Sequence, residues 1–414
     1  MKGTKESGAY VFDPVGIDKR LTQATARILK DKDIHPKNKR LILDYIDYIL
    51  TVKKLTKYRA SRWFDSFVIL GRFAEKPFSS MSVSDVRALD RRVLNCKCTG
   101  ATKKKGEDLS DTTKGDLEKM IKCFWKWIKS PDKNSELDEF PPEVKWIRPI
   151  RTKTAPLKNE DTISHDDVIA IKNKSIQARD RAFAYTLWDS CDRIKEHLGL
   201  TVGDVEDLDE GVNLNVMVSK TGGNTFKKFL VLSSGDLKDW LRVHPKADDP
   251  KAPLWIRIDG RAPNAAIDYA YASKILRTLA RRAGIKKAAN PHNFRHGGLS
   301  FWSDHLTDSQ IKYRAGWAAS TKMFDVYIHK DLNVMQDAIL QALDRKPKEE
   351  TDPFKDKFKS CPVCGKQQDK TRTICFYCDA QMDQRKNELI RQLMEYVDRR
   401  ILESAQGKHT KEGV

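Results

Sequence analysis

Residues 291–296 read Pro-His-Asn-Phe-Arg-His, and residues 316–329 read Gly-Trp-Ala-Ala-Ser-Thr-Lys-Met-Phe-Asp-Val-Tyr-Ile-His. In the first stretch His292 and Arg295 are three apart, so on a helix they share a face and can point at one ligand. A guanidinium binds two phosphate oxygens in a fork, and an imidazole donates or moves a proton. Taken alone, His-x-x-Arg is an ordinary solvated helix face. Upstream, Asp192-Arg193-Ile194-Lys195-Glu196 follows an apolar run, and Glu196 is placed to hold Arg193 by a charge-assisted bond. Lys220 closes a strand just before Thr221-Gly222-Gly223-Asn224, a glycine-rich hairpin link. Trp317 and Tyr327 would each, alone, be core aromatics. Their order along the chain carries more than any one of them.

The rest of the chain sets the frame. Its 414 residues suffice for two or three domains, and a hydrophobic share of 39% suffices to build cores. The net charge of +19 suits a polyanionic partner, nucleic acid or an anionic surface. No run of 18 apolar residues exists and the N-terminus lacks a signal-peptide core, so a cytoplasmic, nucleoid-associated protein without membrane contact is expected. Residues 1–18 read as a loose tail and 19–130 as a helical domain. Within it, apolar periodicity predicts helices over 38–54, 57–75 and 112–129, with another starting near Ser82 or Ser84. The aromatics Trp63, Phe64, Phe67, Phe124, Trp125 and Trp127 recur at helical spacing, which favours core over a base-stacking platform. Five prolines between 131 and 160 mark a linker. Residues 161–348 form a mixed domain. It is expected to hold strands near 213–219 and 226–232, and helices near 176–190, 234–243, 265–283, 293–306, 308–315 and 331–344.

Four cysteines crowd residues 355–382. Cys361-x-x-Cys364 and Cys375-x-x-Cys378 form a four-thiolate zinc pattern, with two knuckles that close a tetrahedral structural site. The segment is too short for its own core, so the metal would supply its folding energy. Its task, DNA contact or subunit contact, stays open; Lys366, Lys370 and Arg372 lean towards DNA. Cys96, Cys98, Cys123 and Cys191 read as ordinary thiols. A last helix over 383–405 carries an apolar stripe that must pack on its own catalytic domain or on a neighbouring subunit.

The ordered set of Arg193, Lys220, His292-x-x-Arg295-His296, Gly316-Trp317 and Tyr327-x-His329 resembles the tyrosine recombinase (phage integrase) family over 161–348. The ending from Gly316 to His329, with the cysteine ribbon after it, looks most like the archaeal branch. The resemblance implies a mostly α fold with a small antiparallel sheet (α+β). A helical core-binding domain, at 19–130, would clamp double-stranded DNA together with the catalytic domain. It also implies roles. Arg193 and Arg295 match the clamp on the scissile phosphate, Lys220 the general acid, and His292 an acid/base and phosphate ligand. Trp317 matches an indole donor and Tyr327 the nucleophile, with Glu196 and His296 in support. The product would be a 3′-phosphotyrosine, made without ATP or a catalytic metal, by a homotetramer on paired sites of a virus or plasmid. A type IB topoisomerase-like enzyme shares this chemistry, and a zinc-ribbon regulator without activity is the reading from another class.

Overall fold

A computed structural model describes residues 16–97, 106–152, 159–218, 224–260, 262–321, 358–370 and 372–409. Two units divide the chain, residues 1–155 and 156–414. Lys220, Tyr327, Cys98 and the helix expected over 331–344 lie outside the described residues.

The first unit is helical: α1 Ile17–Lys30, α2 Pro36–Thr51, α3 Lys57–Phe73, α4 Val83–Leu94, α5 Asp111–Ile128 and the single turn α6 Pro142–Lys145. Hydroxyl caps set the starts. Thr56 accepts from the Arg59 amide, Ser110 from that of Thr113, and Ser82, not Ser84, closes a reciprocal box with Asp85. The aromatics of α3 and α5 fill the interior. Phe67 lies edge-on to Phe124 with ring centroids 4.7 Å apart, and Tyr45, Phe78, Trp125 and Trp127 close around them. Burying such side chains is worth roughly 1.5–3 kcal/mol each, so they stay in the core and are no stacking platform. The stretch expected to be a linker differs. Val144 and Ile147 are buried in this same core, and the Ile150 amide donates to Glu118 at 2.8 Å. Prolines broke the periodicity there without freeing the chain.

The second unit is built round α8 Ala178–Ser190, whose residues from Ala182 onward are all buried. Packed on it are α7 His165–Asn173, α10 Ser234–Arg242 and α12 Pro291–Ser303. The short helices α9 Ile194–Leu198 and α13 Asp308–Arg314 and the longer α11 Tyr269–Arg282 complete the helical part. Three antiparallel strands run in the order β1 Val205–Leu208, β2 Gly211–Val218 and β3 Asn224–Leu230. The last two begin two residues earlier than alternation predicts, because Gly211 pairs back to Leu208 in a tight turn. β1, Val-Glu-Asp-Leu, has no strand pattern; it is a charged edge, a composition that discourages further pairing. The unit ends in β4 Phe358–Ser360, β5 Gln367–Asp369 and a 26-residue helix, α14 Gln384–His409. Among the described residues no helix is long and apolar enough to cross a membrane.

Candidate active site and metal centre

The turn between α8 and α9 is the hub. Cys191 ends α8 in the left-handed region, φ 55°, an uncommon conformation for a residue with a side chain. That reversal turns the Cys191 carbonyl towards α12, where it accepts from Arg295 Nη1. Arg295 Nη2 donates to the Ala315 carbonyl at 2.9 Å, and its guanidinium lies 5.7 Å from the Trp317 ring. Arg295 is only 4% exposed, so two carbonyls and an aromatic face fix its plane. Arg193 caps α9, and its Nη1 donates to Glu196 Oε1 at 2.8 Å, the pairing that their spacing predicts.

Glycines bring these parts together. A Cβ on Gly297 would stand 1.8 Å from the Ile163 carbonyl oxygen, and one on Gly298 would stand 1.9 Å from that of Trp188. Only glycine lets α12 lie this close to α8. Gly316, φ 61°, ends α13 and turns the chain into Trp317; a Cβ there would meet Val218 at 2.9 Å. Val218 is the last residue of β2, two before Lys220.

His292 and His296 follow on α12, with ring centroids 4.0 Å apart. Burial lowers the pKa of His292, and the charges of Arg295 and Arg193 lower it further. His296 is pushed down to about 4, by burial first and then by His292 and Arg295. Both rings are therefore neutral at pH 7. The structure thus gathers Arg193, Glu196, His292, Arg295, His296 and Trp317 about one place. Tyr313, the other tyrosine near the site in sequence, is engaged with the hairpin, its hydroxyl accepting from the Lys227 amide at 3.3 Å.

A second set of residues was not singled out in the sequence. Asp192, fully buried beside Arg193, pairs with buried Lys228 of β3 and lies 3.5 Å from His197 Nδ1. Lys228 also donates to the Ser190 carbonyl at 3.0 Å. Burial alone would raise the Asp192 pKa; Lys228 and His197 outweigh it and hold the carboxyl below its ordinary range. Asp189 accepts from Arg314 at 2.7 Å and from the Ser233 hydroxyl at 2.8 Å. The turn that carries Arg193 is thereby tied to β3, α10 and α13. The signal available was a charged residue, Asp192, at the end of an apolar helix.

The sulfurs of Cys361, Cys364, Cys375 and Cys378 all lie within 4.8 Å of one another. Two pairs are 3.6 Å apart, near the roughly 3.8 Å edge of a tetrahedron with 2.3 Å Zn–S bonds. The knuckles match: the Val363 amide donates to Cys361 Sγ and the Tyr377 amide to Cys375 Sγ. The donor set fits zinc. The ribbon is docked on the helices of the second unit. Lys172 of α7, 2% exposed, bridges Asp236 of α10 at 2.7 Å and Asp369 of β5 at 3.0 Å. Arg372 pairs with Asp239 at 3.0 Å, and Arg242 lies 4.3 Å from the Phe376 ring. Arg372, expected to lean towards DNA, is thus committed inside the chain, and Lys366 sits 4.5 Å from the Tyr377 ring.

Residues 163–333 match the model of the phage integrase family. A tyrosine recombinase of Synechococcus elongatus is 27% identical over 137 residues, which cover 32% of this chain and 42% of the relative. Tyrosine recombinase XerD of Corynebacterium glutamicum is 24% identical over 170 residues, 41% of this chain and 53% of its own. The chain spans about half the length of these curated relatives. Among solved structures, XerH site-specific recombinase bound to its palindromic difH substrate, a post-cleavage complex, aligns with a TM-score of 0.50 at 14% identity. That alignment covers 79% of this chain and 95% of XerH. A lambda integrase tetramer bound to a Holliday junction aligns at 0.50 and 13%, covering 73% and 80%. The mostly helical architecture with a small antiparallel sheet is the fold of these recombinases.

Proposed function

We propose that this chain, with its phage integrase match over 163–333, is a site-specific DNA recombinase that cuts and rejoins strands through Tyr327. The observation that carries the reading is the convergence of Arg193, Arg295, His292 and Trp317, with Arg295 locked by the Cys191 and Ala315 carbonyls. A phosphodiester repels nucleophiles, and attack places more charge on its oxygens. Fixed guanidinium and indole donors lower that cost where the charge develops. They do so without a divalent cation.

The Tyr327 oxygen attacks phosphorus, a P–O bond to tyrosine forms, and the bond to the 5′ oxygen breaks. Lys220 gives the leaving oxygen its proton. Neutral His292 accepts the tyrosine proton and, once protonated, donates to a phosphate oxygen. The strand is left as a 3′-phosphotyrosine, whose bond energy lets another 5′ hydroxyl reverse the step, so no ATP is needed. The helical first unit holds duplex DNA, four copies act on paired sites, and the setting is a virus or plasmid of archaeal type. Zinc, held by the four cysteines, supplies structure alone.

A nicked suicide substrate tests this. Wild-type protein should trap a covalent DNA complex and Tyr327→Phe should trap none. Relaxation of plasmids lacking a recombination site, with no strand exchange, would favour the topoisomerase-like reading instead.

A further inference from the structure

α14 is unlike the other long helices among the described residues. Its apolar side chains have no cover: Ile390, Met394, Val397 and Ile401 are 45%, 66%, 44% and 60% exposed. Their spacing of four, three and four is that of a coiled-coil seam. Leu393, 57% exposed, widens the same stripe. The helix is rooted firmly, because the Gln381 amide donates to Asn387 Oδ1 at 2.8 Å and the Asn387 side-chain amide donates back to the Gln381 carbonyl. A rooted helix with a bare seam is built to meet another helix.

We propose that the occupant is α14 of a second copy, running antiparallel. In that register Ile390 faces Ile401 of the partner subunit and Met394 faces Val397 of the partner subunit. The flanking charges choose the direction. Arg391 and Asp398 occupy equivalent flanking positions, which meet each other across an antiparallel pair and do so twice by symmetry. A parallel pair would set Leu393 against Asp398 of the partner subunit and join no opposite charges across the seam. Within its own helix Arg391 already contacts Glu388 at 2.8 Å and Glu395 at 3.5 Å, so its charge is held at the rim of the seam. The pairing joins two catalytic units through their ribbons and does not depend on strand-transfer chemistry.

The zinc-loaded full chain, without DNA, should have twice the mass of one chain by light scattering at micromolar concentration. Val397→Glu, an exposed position, should give a folded monomer. Arg391→Asp and Asp398→Arg should each weaken dimerisation about tenfold, and the double variant should restore it. Met394→Cys and Val397→Cys are then made separately. Mild oxidation should cross-link them to each other when mixed, and neither to itself. A monomeric wild type, or a dimer that Val397→Glu leaves intact, overturns the proposal. Self-cross-linking of each single cysteine variant overturns the antiparallel register.

Discussion

His292 sits where burial, and after it two guanidinium charges, disfavour its protonation. Its folded-state pKa lies below the unfolded value of about 6.5, so the neutral ring prevails at pH 7. The acid limb of single-turnover cleavage should therefore be centred below pH 6.5. His292→Gln should lower the rate by about 10²–10⁴ and remove the acid limb. A limb centred above pH 6.5 would contradict this placement. The sign for stability is the same. As pH falls, the unfolded chain takes up protons on His292 and His296 before the folded chain does. Stability present above pH 6.5 is lost as the pH falls towards 4, the region of His296.

The turn from α8 to α9 depends on a buried ion pair between two elements, Asp192 and Lys228. Lys228→Met should cost about 3–5 kcal/mol in denaturant unfolding, because it strands a buried carboxylate. Adding Asp192→Leu should recover most of that loss, since an apolar pair can replace a buried ionic one. If the single variant unfolds like wild type, the pair does not hold this turn. How legible each element was follows from the same physics. Four helices of the first unit, α2 to α5, declared themselves, as apolar spacing and hydroxyl caps are local signals; α1 and α6 were not singled out. The pairs His292–Arg295 and Arg193–Glu196 were readable because spacing of three is local too, but only the resemblance of the ordered set to the tyrosine recombinase family joined them into one candidate site. Lys228, Arg314 and Gly298 were not. Each acts on a partner far along the chain, and the close approach of α12 to α8 exists only once the helices pack. β1 was hidden by its charges, and the pocket for Val144 and Ile147 by surrounding prolines.

At the scale of the whole molecule the ribbon is part of the second unit. Lys172 is buried between Asp236 and Asp369, so loss of the metal would open a polar contact inside the fold. Chelation should lower the Tm of the second unit by several degrees, and Lys172→Met should make that unit less sensitive to chelation. An unchanged Tm on metal removal would mean that the ribbon hangs free of it. Tyr327, the proposed nucleophile, acquires meaning only from the residues assembled upstream of it. The most direct measurement is mass spectrometry of the peptide covalently joined to DNA after reaction with a nicked suicide substrate. The linked residue should be Tyr327, bearing a 3′-phosphate; DNA attached at Tyr313 or any other residue, or no adduct from active wild-type protein, would mean that Tyr327 is not the nucleophile.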